Sequence, residues 1–198
     1  MDDLEIITEK SKKNIKVLIF NGPPGSGKDT LGNMLYNFMH KNNYPEVFMQ
    51  SFKEQLIEIA LVISGLERST WTRFYAQKEL KRAELGGLSC REYLIKISEK
   101  VIKPNFGADY FGKHAADNLL VGLNIFTDGG FEAELPPIID KIGVENVVIV
   151  RLHRTGHTFK NDSRNYISIP GVACFDIKNQ VLNDAFTELA VKLGFVKK

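Results

Sequence analysis

The sequence predicts an α/β fold built on a mainly parallel sheet with helices on both faces. Two observations lead to this prediction. Short, continuous apolar runs alternate with segments whose apolar residues recur at helical spacing, and such runs are typical of strands buried on both faces. In addition, the first apolar run, residues 17–20, passes directly into a glycine-rich turn and an amphipathic helix, which is the strand–loop–helix unit of parallel sheets.

The other strands and helices are expected in a regular order after this first unit. Apolar runs predict strands at residues 46–51, 123–130, 146–154 and 171–177. Helical spacing predicts helices at residues 31–39, 54–63, 70–85, 89–103, 109–120 and 181–193, with a short helix after Pro137.

Local signals are expected to set the ends of several helices. The pairs Ser51/Glu54 and Ser89/Glu92 have capping-box spacing, so each is expected to begin a helix. Pro104 is expected to stop the helix that follows Ser89, because proline cannot continue a helical hydrogen-bond ladder.

The middle of the chain, residues 66–120, is expected to hold three helices without an intervening strand. The first of them is expected to end at Gly86-Gly87. This arrangement differs from a regular strand–helix–strand step, so it predicts an insertion over the sheet.

The composition fits one globular domain and excludes several function classes. The chain has 198 residues, of which 43% are hydrophobic and 25% charged, and its net charge of +2 does not favour non-specific nucleic-acid binding. Cys90 and Cys174 show no metal-ligand spacing and are expected to be packed thiols in a reducing compartment. There is no apolar segment of signal-peptide or membrane-span length, so a cytoplasmic protein without a membrane partner is expected.

The glycine-rich turn matches the first seven positions of the phosphate-binding motif G-x-x-x-x-G-K-[ST]. Its glycines allow the backbone to curl and to aim successive N–H groups at an anion. The helix that follows adds the positive end of its dipole, and Lys28 adds a full charge for the β- and γ-phosphates. The residues assigned to nucleotide binding are Gly22, Pro23, Pro24, Gly25, Ser26, Gly27, Lys28, Asp29 and Thr30.

The eighth position of the motif is Asp29 instead of serine or threonine. A hydroxyl at this place normally ligates Mg²⁺, and Asp29 could offer an oxygen directly or through water. Thr30 comes one residue late and could reach a phosphate oxygen instead. The departure makes a generic ATPase or GTPase less probable and indicates a narrower family.

The run SGKDT at residues 26–30 resembles the phosphate loop of bacteriophage deoxynucleoside monophosphate kinases, in which aspartate commonly follows the lysine. Further stretches are similar to that family in the same order, at residues 51–60, 88–111, 126–135 and 175–189. One departure concerns Gly130, since the family often carries an arginine there before the phenylalanine. Any role of that arginine must be absent or supplied elsewhere.

The resemblance implies an enzyme that uses ATP and Mg²⁺ to phosphorylate a nucleoside monophosphate, in the host cytoplasm if the chain is phage-encoded. It implies small-molecule nucleotides as partners and leaves a homodimer open. Two alternatives remain at this point. The acceptor could be another phosphorylated small molecule, as in phosphomevalonate or dephospho-coenzyme A kinases, or the chain could be a nucleotide-binding module that acts through partners.

The resemblance also implies a division of the chain into parts. Residues 1–14 are expected to form a flexible arm and residues 15–198 a single kinase domain of the P-loop type. Within it, residues 66–120 are expected to form the acceptor side, and residues 154–169 a loop that acts as a lid.

Charged residues near these parts are assigned roles in phosphoryl transfer. Asp128 ends a predicted strand, where it could ligate Mg²⁺ together with Asp29 or simply cap the turn before the following glycines. Lys53 and Arg91 lie in segments similar to the acceptor side of the family, although both could be ordinary surface cations. Arg68 is a further candidate, whereas Arg73 and Arg82 in the same region could equally face the cleft.

Three arginines are candidates for the lid. Arg151 and Arg154 follow the apolar run at residues 146–150, within the predicted strand at 146–154, and Arg164 lies inside the polar loop. In nucleotide kinases such arginines close over the transferring phosphate, where one of them can be worth about a thousandfold in rate. The alternative is a solvated polar loop with scattered arginines.

Overall fold

The computed structural model describes residues 15–44, 46–160, 162 and 164–195, so the arm expected at residues 1–14 lies outside the described part. Five strands form one parallel sheet in the order β2-β5-β1-β6-β7, and β3 pairs with β4 in a separate antiparallel hairpin. In chain order the strands are β1 (Ile15–Asn21), β2 (Val47–Gln50), β3 (Lys81–Arg82), β4 (Leu88–Ser89), β5 (Gly122–Gly129), β6 (Val147–His153) and β7 (Ala173–Lys178).

Eight α-helices connect and cover these strands in the described part of the chain. They are α1 (Lys28–Lys41), α2 (Glu54–Ser64), α3 (Arg68–Tyr75), α4 (Cys90–Ile97), α5 (Lys103–Phe106), α6 (Tyr110–Asp117), α7 (Pro136–Ile142) and α8 (Leu182–Lys192). A π-helical turn, Ser98–Ile102, joins α4 to α5. None of the helices described is long and apolar enough to cross a membrane.

The central strand β1 shows why the sheet is parallel and covered on both faces. It pairs in parallel with β5 on one side and β6 on the other. Alternate residues enter different cores: Val17 and Ile19 pack with α6 and α7, whereas Leu18 and Phe20 pack with α1 and α8. A strand buried on both faces needs a continuous apolar run, so the predicted α/β class is confirmed.

A third core lies within the region between β2 and β5. It is built from apolar side chains of α2, α3, α4 and α6, including Trp71, Phe74, Leu94 and Phe111. The helix expected at residues 70–85 is wrong in its second half, because α3 ends at Tyr75. The chain then forms the hairpin of β3 and β4, which turns through a 3₁₀ segment and the glycine pair at 86–87.

The capping box at Ser89 is confirmed, and the stop at Pro104 is wrong. The Glu92 amide donates to Ser89 Oγ (3.2 Å), and the Ser89 amide donates to Glu92 Oε2 (2.8 Å). Pro104 lies in the first turn of α5, where proline is tolerated because the first amides of a helix have no intrahelical partner. Helical structure therefore continues to Phe106.

The capping box expected between Ser51 and Glu54 is also wrong. The helix α2 does begin at Glu54, but Lys53 is its N-cap residue and no side chain caps it there. Ser51 Oγ donates instead to the carboxylate of Asp128, at 2.6 Å. The hydroxyl thus ties the end of β2 to the end of β5, and this contact belongs to the candidate site.

Candidate active site

The carboxyl ends of the five parallel strands converge on one edge of the sheet, where a cavity of about 310 Å³ opens. Ligands of open α/β sheets bind at this edge. Among the residues that line the cavity are Pro24, Gly25, Lys28, Asp29, Phe52, Lys53, Arg91, Thr127, Asp128, Glu134, Asp162 and Arg164.

The loop at residues 22–27 has a backbone that requires glycine. A Cβ on Gly22 would lie 2.7 Å from Ser26 Oγ and 2.8 Å from the Leu152 carbonyl oxygen. Gly25 and Gly27 adopt left-handed φ angles of 76° and 92°, which side chains with a Cβ disfavour. The chain therefore curls tightly between the end of β1 and the start of α1, as the glycine pattern predicts.

Lys28, the first residue of α1, folds back over this loop. Its Nζ donates to the carbonyl oxygens of Gly22 (2.7 Å) and Pro23 (3.0 Å). Burial, and secondarily the charge of Arg164, lower the pKa of Lys28 to about 8, although the carboxylates of Asp29, Asp162 and Asp128 act in the opposite direction. The ammonium is therefore held in a site whose surroundings favour an additional anion.

Three side chains that follow β6 and β7 hold the loop in place. Asn179, directly after β7, donates from Nδ2 to the Ser26 carbonyl (2.7 Å). The His157 Nδ1 lies 2.9 Å from the Pro24 carbonyl, which requires the proton on that nitrogen, and Arg154 donates to the Gly25 carbonyl (3.1 Å). Sequence reasoning missed Asn179 and His157. The one feature of the sequence that could have identified them is that each follows a predicted strand, at the carboxyl edge of the sheet.

Asp29, in the first turn of α1, accepts a hydrogen bond from Thr127 of β5. The Thr127 hydroxyl donates to Asp29 Oδ1 at 2.6 Å. The carboxylate thus lies at the edge of the cavity and keeps its second oxygen, Oδ2, outside this bond. Thr30 is exposed on the same turn.

Asp128, the next residue of β5, accepts three hydrogen bonds from the segment after β2. The Ser51 hydroxyl donates at 2.6 Å, and the amides of Phe52 and Lys53 each donate at 3.1 Å. The carboxylate thus holds the segment that leads into α2. The hydrogen bonds of this carboxylate thus go to residues 51–53 and not to the turn before Gly129-Gly130 that the sequence analysis gave as the alternative.

The two carboxylates fit the requirements of a magnesium ion. Mg²⁺ usually takes one or two carboxylates, keeps several waters and binds substrate phosphates. Asp29 and Asp128 line the same cavity as Lys28. Within the described residues no group of three or more histidine, cysteine, aspartate or glutamate side chains could hold a metal by itself. Any ion here would therefore complete its coordination with water or with oxygen atoms of a bound nucleotide.

Two of the predicted arginines meet at one carboxylate in the cavity wall. Arg164 donates from Nε to Asp162 Oδ1 (2.8 Å) and from its terminal nitrogen to Oδ2 (2.6 Å). Arg91 lies 3.7 Å from the same Oδ2, and 3.6 Å from Glu79 on its outer side. Lys53 lines the cavity near them.

The other predicted arginines lie away from the cavity lining. Arg151 forms a two-pronged ion pair with Asp176 of β7, at 3.0 and 2.5 Å, and the His153 Nε2 shares that carboxylate. Arg68 pairs with Glu54 and Glu58 on the outer face of α2. The cavity therefore brings together Lys28, Lys53, Arg91 and Arg164, but not Arg68, Arg151 or Arg154.

Sequence reasoning also missed Glu134, which is 5% exposed and lines the cavity. Its Oε2 accepts a hydrogen bond from the Phe131 amide at 3.3 Å. Burial, and secondarily the charge of Asp128, raise the pKa of the Glu134 carboxyl to about 8. No sequence pattern identifies a single glutamate in a short 3₁₀ turn as part of a site.

Part of the cavity lining is apolar. Its walls come from α2, α4, α6 and the end of α3, with Leu56, Tyr75, Leu94, Ile95 and Phe111. Two aromatic side chains, Tyr75 and Phe111, line the cavity. Phe111 belongs at the same time to the third core, together with Trp71 and Phe74.

Comparisons with known proteins leave the family of the chain open. No protein-family model matches the chain. Over 83 residues, 40% of the chain, it is 31% identical to a disease resistance protein of Arabidopsis thaliana, and the chain spans 8% of the length of that protein. A gluconokinase from Sinorhizobium meliloti 1021 aligns with 94% of the chain and 99% of its own length, at a TM-score of 0.40 and 11% identity. These values assign neither a family nor an activity.

Proposed function

We propose that the chain transfers the γ-phosphoryl group of ATP to a (deoxy)nucleoside 5′-monophosphate and releases ADP and a (deoxy)nucleoside diphosphate. One observation carries the proposal. A single cavity is lined by the glycine loop and Lys28, by a second group of cations, Lys53, Arg91 and Arg164, and by apolar side chains. Two anion sites on one cavity are what a transfer between two phosphates requires.

The donor end suits the polyphosphate of ATP. The curled loop and the N-terminus of α1 offer amide donors and a positive dipole end, and Lys28 adds a charge. Asp29 and Asp128 would hold Mg²⁺, which neutralises charge on the phosphates when it is bound. The buried Ser26 Oγ has no hydrogen-bond partner among the described residues and faces the interior of the same loop.

The acceptor end suits a group that combines an anion with a flat apolar part. Lys53 and Arg91 can bind a phosphate, and the aromatic side chains of Tyr75 and Phe111 line the same cavity, where a base would have apolar contacts. A volume of about 310 Å³ lies in the range of pockets that hold small organic ligands.

Transfer in this site needs positioning and charge neutralisation more than a general base. An oxygen of the acceptor phosphate is already deprotonated at neutral pH, so it can attack directly. The new bond joins this oxygen to the γ-phosphorus, while the bond from the γ-phosphorus to the bridging oxygen of ADP breaks. Lys28 and Arg164, which line the same cavity, would stabilise the charge on the transferring group.

A panel of acceptors tests the proposal. Each of eight ribo- and deoxyribonucleoside monophosphates is incubated with Mg·ATP, and ADP formation is measured with and without the acceptor. We expect ADP formation to rise sharply with at least one of them, and not with a Lys28→Ala preparation purified in parallel. The parallel preparation controls for contaminating kinases.

Other outcomes of this panel would replace the proposal. ADP formation that is the same with and without every acceptor would indicate a nucleotide-binding module that hydrolyses ATP slowly. Stimulation by phosphomevalonate or dephospho-coenzyme A, but by no nucleotide of the panel, would indicate a kinase for another phosphorylated small molecule.

A further inference from the structure

We propose that Asp162 occupies the anion subsite between Arg91 and Arg164, so that the acceptor phosphate must displace this carboxylate to bind. Asp162 then acts as a built-in competitor that makes the subsite selective for a strongly charged anion. The identification of that anion with the acceptor phosphate rests on the proposed function.

The geometry is that of a bound anion. Asp162 presents both oxygens to the fork of Arg164, at 2.8 Å to Nε and 2.6 Å to a terminal nitrogen, and its Oδ2 also lies 3.7 Å from Arg91. Carboxylates and phosphates use this same two-pronged arrangement on guanidinium groups. One carboxylate therefore fills the place in which two arginines could grip a phosphate.

The location of the three residues separates this pair from an ordinary surface ion pair. Asp162, Arg91 and Arg164 all line the cavity that contains Lys28. The Asp162 side chain is 7% exposed, although it comes from a loop without regular structure. The neighbouring arginines hold the pKa of Asp162 below its usual value, so the carboxylate stays charged.

Competition between Asp162 and a phosphate favours the phosphate. A phosphate monoester carries a charge of about −1.5 to −2 at neutral pH and has three acceptor oxygens, against a single charge and two oxygens for the carboxylate. A neutral hydroxyl compound or a simple carboxylic acid lacks this advantage. The subsite should therefore accept nucleotides and reject nucleosides.

A purely structural role for Asp162 makes a different prediction. The amide of Arg164 donates to Asp162 Oδ1 at 3.0 Å, so the side chain also shapes the local turn. The substitution Asp162→Asn keeps an acceptor oxygen for this amide and removes the charge. This variant therefore tests the competition with phosphate while the hydrogen bond that shapes the turn is kept.

The experiment titrates the full chain with inorganic phosphate in a calorimeter, without ATP. For Asp162→Asn we expect the dissociation constant for phosphate to fall about tenfold, because the arginines no longer hold an internal anion. When Arg91 is also replaced by glutamine, Asp162→Asn should lower the dissociation constant for phosphate much less. With any acceptor that the panel identifies, the KM for the acceptor should fall and the KM for ATP should stay the same.

Glu99→Gln is the matched control. Glu99 lines the same cavity but pairs with Lys103 at 2.6 Å, so its substitution removes one negative charge without freeing either arginine. We expect this variant to change phosphate affinity by less than about twofold. An equal gain in phosphate affinity in Asp162→Asn and Glu99→Gln would mean that the loss of any negative charge near the cavity has this effect, and it would overturn the proposal. Unchanged or weaker phosphate binding in Asp162→Asn would overturn it as well.

The phosphate titration and the acceptor panel test two different proposals, and either proposal can be refuted without the other. The titration involves neither ATP nor turnover, so a gain in Asp162→Asn supports the competition even if no nucleoside monophosphate is phosphorylated. In that case the proposed function is wrong and the subsite belongs to another phosphorylated compound. If an acceptor is found and the titration shows no gain, the kinase stands and the competition by Asp162 is refuted.

Discussion

The side chain of Arg164 passes directly over Gly130. A Cβ at position 130 would lie 2.5 Å from Arg164 Cδ and 3.1 Å from Cγ. Gly130 follows β5, whereas Arg164 comes from the segment between β6 and β7. The two positions are thus far apart in the sequence and adjacent at the cavity. Here a guanidinium reaches the cavity from a different segment, and the absence of a side chain at 130 is what makes room for it.

Substitution of Gly130 by alanine should therefore act through Arg164. The backbone at Gly130 is not in the left-handed region, so the added methyl group, and not backbone strain, displaces the arginine. We expect kcat/KM of the proposed transfer to fall between about tenfold and a hundredfold, since misplacement of a charged group by about 1 Å can have this effect. The thermal unfolding midpoint should change little.

A double-mutant cycle with Arg164→Ala tests this mechanism. Once the arginine is removed, Gly130→Ala should cause almost no further loss in kcat/KM. If the loss from Gly130→Ala were as large in the Arg164→Ala background as in the parent chain, the contact between the two residues would not be its cause.

Asn21, at the end of β1, is expected to be the main tether of the segment after Arg164. Its Nδ2 donates to the carbonyls of Gly129 (3.2 Å) and Asn165 (3.1 Å), and its Oδ1 accepts from the Ile167 amide (3.0 Å). Asn21→Ala leaves these buried groups without partners, so we expect the free energy of unfolding to fall by about 1–3 kcal/mol.

Denaturant unfolding measures this change, and limited proteolysis shows whether residues 154–169 are cleaved faster. Asn33→Ala on the exposed face of α1 serves as the control and should alter neither measurement. An Asn21→Ala protein of unchanged stability and unchanged cleavage rate would show that the segment is held by other contacts.

The sheet was predictable because its signals are local in the sequence. Residues 17–20 are apolar without interruption, and this alone identifies a strand with both faces buried. The hairpin of β3 and β4 was not predictable, because strands of two residues are too short to show a period. The apolar residues around it fit a helix equally well, and packing in the third core decided the outcome.

The site divides in the same way. The glycine loop is a run of consecutive residues whose conformation depends on their own backbone, so its sequence predicted its shape. The partners of that loop, Asn179 and His157, come from elements far along the chain and are brought in by the sheet. Arg151 shows the opposite case: it lies opposite Asp176 in the register of β6 and β7, and no pattern in the sequence specifies that register.

Lys28→Ala should abolish the proposed transfer and spare the fold. The ammonium supplies charge to the phosphates, so we expect kcat to fall by several orders of magnitude, whereas the unfolding midpoint should remain close to that of the parent. Lys41→Ala, at the exposed end of the same helix, is the control and should keep full activity. Unchanged turnover of Lys28→Ala in a steady-state coupled assay would refute the assignment of the loop.

The lowered pKa of Lys28 predicts a pH dependence of nucleotide binding. Since this pKa lies at about 8, the ammonium loses its proton as pH rises through that value, and phosphate binding loses a charge. We expect the dissociation constant for ADP to increase between about pH 7 and pH 9, a range that extends roughly one unit on either side of the lowered value. Lys28→Arg is the control, because a guanidinium stays charged over this range. An equal increase in both proteins would assign the titration to another group.

Asp29→Ser is expected to keep measurable activity and to change the metal preference. The carboxylate lies at the edge of the cavity, bonded through Oδ1 to Thr127, and serine would replace it by the hydroxyl that usually ligates Mg²⁺ at this position. Because Mn²⁺ binds oxygen and nitrogen ligands differently from Mg²⁺, the ratio of activities with the two ions should shift when one charged ligand becomes neutral. Thr127→Val, which removes the hydroxyl bonded to Asp29 but keeps the carboxylate, is the matched control and should retain the metal preference of the parent. Identical Mg²⁺ and Mn²⁺ titrations for the parent and Asp29→Ser would place Asp29 away from the metal and leave Asp128 as its carboxylate ligand.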